Sequence, residues 1–213
     1  MSINNTGLGP EAVTTIAESL IANDSNKLKK LCISRSRVEE KGAKALARYF
    51  ATNDKLEHLE IINNAIRDDA AVEFAESLLP CAKSGSLKHL DVNDNSLSGV
   101  AQGGLLTLIR EATKLEHLDI SGQGIDDEDN GLEILEALKE STSKMHLRVF
   151  NWSYDAFEFD DLIGQFLDTL SDKDDFPQIK HLEFMETIGK VKRRNKLRKE
   201  FRDKNIELVL TEF

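Results

Sequence analysis

The sequence predicts an α/β solenoid: a right-handed β-α superhelix of about six to seven repeats, with a parallel sheet on its concave side and helices outside. Two observations lead there. A six-residue phrase recurs at near-constant spacing, and an amphipathic helical pattern follows each copy. Leu28 to Ile33, Leu56 to Ile61, Leu87 to Val92 and Leu115 to Ile120 all read L-x-x-L-x-[LIV], and looser copies run from Leu147 to Trp152 and Ile179 to Phe184. Their first residues lie 28, 31, 28, 32 and 32 positions apart, too far for a heptad and typical of a solenoid.

Each phrase is expected to be a strand, which implies six strands in the repeats. A polar turn and a helix follow each one. Leu46, Ala47 and Phe50 mark the first helical face, and Phe74, Ala75 and Leu78 the second. The later faces are Leu105, Leu108 and Ile109; Leu132, Leu135 and Leu138; and Leu162, Ile163, Phe166 and Leu170. Neither half of a unit can bury its apolar side alone, so neighbouring units must stack to close one core.

The ends depart from the pattern. Residues 1–27 form an N-terminal partial repeat or cap: Ile3 aligns with Ile33, and Gly9-Pro10 opens a helix through Val13, Ile16, Ala17 and Leu20. Residues 28–189 hold the repeats. Residues 190–213 are expected to cap the core, with a basic helix that turns Val191, Leu197 and Phe201 inward and a last strand from Ile206 to Leu210. The whole is read as a single domain over 1–213. Extra residues between helix and next strand, Pro80 to Ser86, Ser141 to His146 and Ser171 to Pro177, are read as spacer loops on one rim.

The L-x-x-L-x-L starts, the turns Asn64-Ala65-Ile66 and Asn95-Ser96-Leu97, and the helical half of each unit resemble leucine-rich repeats of the ribonuclease-inhibitor subtype. Ran GTPase-activating proteins carry the same form. The resemblance covers roughly residues 3 to 213 and implies that the turn Asn bonds the backbone of its bend. Ser36, Gln123 and Asp155 stand at the equivalent places, so those turns are expected to be looser.

Strand alternation makes the concave face readable in columns. One holds Lys30, His58, His89, His117, Val149 and His181; the next Cys32, Glu60, Asp91, Asp119, Asn151 and Glu183; the third Ser34, Ile62, Asn93, Ser121, Ser153 and Met185. Four of the five histidines would thus form a ladder beside four carboxylates. The candidate partner-binding residues are His58, Glu60, His89, Asp91, Asn93, His117, Asp119, Tyr154, His181 and Glu183. Tyr154, at the concave end of its strand, is the aromatic anchor among them, whereas Trp152 takes the place of a core Leu by phase. Cys32 stands near Lys30 and His58, which are expected to lower its pKa.

Other chemistry finds little footing. A net charge of −10 opposes nucleic-acid binding. No apolar run is long enough to span a membrane, and Met1 to Gly7 lacks the character of a signal peptide. Two cysteines are too few for a disulfide framework. No metal or cofactor is expected: His58, His89 and His117 would sit about 5 Å apart in register with no fourth ligand dictated. The stretch Asp126 to Gly131 resembles a calcium loop but has Glu128 at position three and Ala137 at position twelve. Nine basic residues between Lys190 and Lys204, against Glu200 and Asp203, leave the rest of the chain more acidic than the total.

The expected function is a non-enzymatic protein-protein interaction scaffold in the cytoplasm. It would hold a basic protein partner on its acidic concave face and could belong to a larger assembly, with no membrane contact. The basic segment leaves a nuclear location open. The family resemblance implies a second reading, a regulator of a small GTPase. A short array ended by a basic helix also looks like the actin-capping domain of tropomodulin, which gives a third.

Overall fold

In each strand phrase the two apolar positions that face one way must be covered, and the pattern that follows supplies the cover. The computed structural model describes residues 1–213 except 24–27, 98, 100, 101, 126, 127, 142, 143, 145, 154–159, 187–190 and 213, with 68, 160, 161, 185, 186, 191–193, 211 and 212 described as backbone. The described strands are β1 (Ser2–Asn4), β2 (Lys30–Ser34), β3 (His58–Ile62), β4 (His89–Asp91), β5 (His117–Asp119), β6 (Val149–Trp152), β7 (His181–Glu186) and β8 (Glu207–Glu212). Between them run α1 (Gly9–Ala22), α2 (Glu39–Phe50), α3 (Asp68–Ser77), α4 (Leu79–Ser84), α5 (Gln102–Glu111), α6 (Glu128–Glu140), α7 (Asp160–Leu170) and α8 (Val191–Asp203). The strands form a single sheet in chain order, parallel throughout. The layout is α/β and solenoid-like.

Register carries the architecture. Leu31, Leu59, Leu90, Leu118, Phe150, Leu182 and Leu208 pair in one unbroken column, and all are buried. Ile3 pairs with Ile33, and the last strand adds Leu208 and Leu210 to the same core. The helices cover this side of the sheet, α1 to α7 each beside the next and α8 against β8, and one apolar cluster runs from Val13 to Leu210. Where β6 and β7 carry Phe150, Trp152 and Phe184 in place of the Leu, Ile and Val of earlier strands, Phe166 of α7 packs among the rings, 4.8 Å from Trp152 in an edge-on contact. In α6 the buried face shifts from the one expected: Ile134, Leu135 and Leu138 are buried and Leu132 only partly so.

Three other expectations need correction. Pro80 to Ser86 is mostly the helix α4, with Pro in its first turn; Gly85 ends it in the left-handed region, φ 73°. The turns at Ser36 and Gln123 are not loose. Gln123 is fully buried, its Nε2 donating to the Val92 and Ser121 carbonyls at 2.8 and 2.9 Å, while its Oε1 accepts from Leu97 N–H at 3.2 Å. Its longer side chain spans the bend as Asn does elsewhere, and the equally buried Ser36 bonds the Ile3 and Ser34 carbonyls. Asp155 lies outside the described residues.

The amides form a ladder between turns. Asn64 Nδ2 donates to the Ile33 and Ile62 carbonyls, and its Oδ1 accepts from Ser36 N–H. Asn95 Nδ2 donates to the Ile61 and Val92 carbonyls, and its Oδ1 accepts from the N–H groups of Asn64 and Ile66. Each side chain thus satisfies its own bend and the previous one, where buried N–H groups have no strand partner. Asn95→Ala leaves two buried amides without an acceptor and is expected to cost about 3 kcal/mol. A urea titration should show a lower midpoint at unchanged slope; a midpoint equal to that of the parent chain would remove the ladder from the account.

Candidate functional site

The side chains that alternate with the core column stand on the open face of the sheet, the side opposite the helices. Parallel register aligns them as rows. Lys30, His58, His89, His117, Val149, His181 and Glu207 pair in succession, and so do Cys32, Glu60, Asp91, Asp119, Asn151, Glu183 and Val209. Strand spacing of about 4.8 Å is wider than the thickness of an imidazole, so three rings tilt into contact. His58 stacks on His89 with centroids 3.8 Å apart and planes within 7°, and His89 on His117 at 3.9 Å and 16°. The stack ends at Val149. His181, two strands on, is not part of it; its Nδ1 meets Glu207 at 3.1 Å and its Nε2 lies 3.8 Å from Glu183.

Glu60 is the hub of the first half. Its Oε1 is hydrogen-bonded to His58 Nε2, lies 3.9 Å from His89 Nε2, and is 3.7 Å from the Lys30 ammonium, which itself sits 3.0 Å from His58 Nε2. Burial alone would raise the Glu60 pKa; the hydrogen bonds from His58 and Cys32 and the nearby positive charge outweigh it and hold the carboxyl below its usual value. Cys32 is 3% exposed, and its pKa is raised, first by burial and then by its hydrogen bond to Glu60. The expected lowering by Lys30 and His58 is therefore overturned: the lysine's charge is outweighed by desolvation and by the adjacent carboxylate.

The second half behaves differently because its carboxylates have turned toward the backbone. Asp91 Oδ1 accepts from Asn93 N–H at 3.0 Å. Asp119 Oδ1 accepts from Ser121 N–H at 3.0 Å, and its Oδ2 from Asn151 Nδ2 at 3.1 Å. Asp119 is 8% exposed, far less open than a surface column suggests. Burial and the Asp119 carboxylate push the Asp91 pKa up to about 7, against the Asn93 N–H. Burial, with the like charges of His117 and His58, holds His89 down at about 3. His117 is also lowered, chiefly by burial, with Asp119 opposing.

The ten predicted site residues thus divide. His58, Glu60, His89, Asp91, Asn93, His117 and Asp119 form one continuous patch over β3 to β5 and the turns that follow. His181 and Glu183 form a second group with Glu207, and Tyr154 lies outside the described residues. The sequence reading missed Lys30 and Cys32 as partners of Glu60, although both were in its columns. It also missed that basic residues of α8 and of the turn after it are spent on the cap. Arg198 donates to the Leu210 carbonyl at 2.8 Å, and Lys204 to Ser171 Oγ at 2.7 Å. A separate groove of about 560 Å³ lies between α8 and β8, lined by Lys180, Arg198, Arg202 and Glu207 among others. Among the described residues no helix is long and apolar enough to cross a membrane. No protein-family model and no curated protein matches the chain.

The two shifted groups act on stability with opposite signs. Asp91 in the fold holds its proton to about 7 against 3.8 unfolded, so its contribution declines as pH rises between those values. His89 is held at about 3 against 6.5 unfolded, so its contribution is complete above 6.5 and lost as pH falls toward 3. Asp91→Asn keeps the acceptor for Asn93 N–H and removes the buried charge. At pH 8 it is expected to be more stable than the parent by about 2 kcal/mol, the full linkage value halved for solvent screening, and about equal at pH 4. Urea unfolding at the two pH values checks this; a destabilised variant at pH 8 would contradict it.

Proposed function

We propose that the chain is a leucine-rich-repeat scaffold without catalytic activity that holds a basic segment of a protein partner on its open face. The single observation that carries the reading is the row Glu60, Asp91, Asp119, aligned strand by strand with no helix in front of it. Like charges set side by side and half withdrawn from water are unfavourable in the free protein, as the raised pKa of Asp91 expresses. A lysine or arginine side chain laid along the row would relieve that cost. The surface would therefore select for cationic partners. The same-residue turns at Asn64 and Asn95 support the repeat assignment, and two buried free thiols suit a reducing compartment such as the cytoplasm.

Binding should be coupled to proton release, because the cation favours the ionised form of Asp91. Affinity for a lysine- and arginine-rich peptide is expected to rise with pH up to about 7, level off above it, and fall with added salt. The neutral variant Glu60→Gln/Asp91→Asn/Asp119→Asn preserves shape: the amide at 119 can still cap Ser121 N–H, and Asn151 Oδ1, which has no hydrogen-bond partner among the described residues, can accept from it. Titration calorimetry against such peptides should show roughly 10-fold or greater loss of affinity in this variant. Equal affinity for parent and variant would place any binding elsewhere and overturn the proposal.

A further inference from the structure

The first half of the row brings together three different ligand types. Sγ of Cys32 on β2, a ring nitrogen of His58 and a carboxylate oxygen of Glu60 on β3 all lie within 4.8 Å of one another. We propose that Cys32, His58 and Glu60 form a binding site for a divalent transition-metal ion of the zinc type, with His89 placed to supply a fourth ligand.

The donor set selects the class of ion. One thiolate, one or two imidazoles and one carboxylate suit zinc and its neighbours. A single carboxylate without further oxygen ligands does not suit calcium or magnesium. Ligand atoms around tetrahedral zinc sit roughly 3.5 Å apart, so the widest present spacing must close and the hydrogen-bonded His58–Glu60 pair must open, each by on the order of 1 Å, within the reach of side-chain rotation. The backbone need not move, because β2 and β3 already pair Cys32 with Glu60 and Lys30 with His58. The stacked rings of His58 and His89 turn their Nε2 atoms toward the same Glu60 oxygen.

The position already attracts positive charge. The Lys30 ammonium lies 3.0 Å from His58 Nε2 and 3.7 Å from Glu60 Oε1, and its side chain is 56% exposed, so it can leave for solvent. On binding, the Cys32 S–H bond is replaced by an S–metal bond and one proton goes to solvent, while His58 coordinates through Nε2 with its proton on Nδ1. The thiol keeps its proton more tightly than usual because it is buried, so metal binding should strengthen as pH rises. Cys81 provides the internal contrast. It is fully buried, its thiol donates to the Asn53 carbonyl at 3.0 Å, and it belongs to no such cluster among the described residues.

The test is a titration of tag-free, metal-stripped protein with Co²⁺ alone, followed by Zn²⁺. The expected result is one equivalent bound, with the charge-transfer absorption of a thiolate-cobalt bond that Zn²⁺ abolishes. Cys32→Ser should lose the band. Cys32→Ser, His58→Gln and Glu60→Gln should each weaken binding roughly 10-fold or more, while Cys81→Ser leaves it unchanged. Because Cys32 is buried, circular dichroism and the metal-free urea midpoint check that its variant folds; Glu60→Gln, on a half-exposed side chain, tests the site without touching the core. Absence of the band in the parent chain at saturating Co²⁺, or its survival in Cys32→Ser, overturns the proposal.

Discussion

The molecule depends on one constraint: the column Leu31, Leu59, Leu90, Leu118, Phe150, Leu182 and Leu208 must be buried in the same register on every strand. A slip of one residue on β2 to β5, β7 or β8 would turn its Leu to solvent and its polar or charged residues into the core. Burial of a large apolar side chain contributes about 2 kcal/mol, and every strand carries at least one, so the register is strongly enforced. Everything on the open face follows from it. The rings of His58, His89 and His117 stack, and Glu60, Asp91 and Asp119 stand in a row, because the residues between them cannot be anywhere else.

Such a row is costly, and the chain relieves the cost in two ways. At the β2 to β3 end it supplies positive charge and hydrogen bonds: Lys30, His58 and Cys32 converge on Glu60 and keep it ionised. At the β4 to β5 end it supplies backbone N–H groups, those of Asn93 and Ser121, and lets Asp91 hold its proton nearly to neutrality. The face therefore has two chemically distinct halves. One is a compact cluster of mixed ligand atoms. The other is a pair of carboxyl groups whose full ionisation awaits a cation.

The fold was legible to the extent that it rests on repetition. The pairing of Ile3 with Ile33, the helical faces of α2, α3 and α5, and the buried place of Trp152 follow from period and phase alone. Substitutions inside the repeat were harder. At Gln123 the sequence points to a looser turn, yet the extra methylene reaches the same two kinds of carbonyl as Asn does, which only the backbone path of the bend reveals. Pro80 to Ser86 reads as a spacer because these residues lengthen the unit beyond its repeat, although Pro fits the first turn of a helix and Gly its end cap. On the open face the register of the first two columns was correct and the environments were not. Cys32 and Asp119 belong to a column expected to face solvent, and both are buried: Cys32 is hydrogen-bonded to Glu60, and Asp119 accepts from Ser121 N–H and Asn151 Nδ2. Alternation tells which face a side chain leaves from, and burial there depends on what its neighbours do.

The measurement that tests the central claim most directly is an NMR titration of the intact chain, with carbon labels in the carboxyl groups and nitrogen labels in the imidazole rings. A shared register with stacked rings and a withdrawn carboxylate row predicts that Asp91 loses its proton near pH 7 and that His89 stays neutral down to about pH 3. If instead Asp91 titrates near 3.8 and His89 near 6.5, the values for groups in free solvent, these side chains splay into water. The ordered face would then be contradicted.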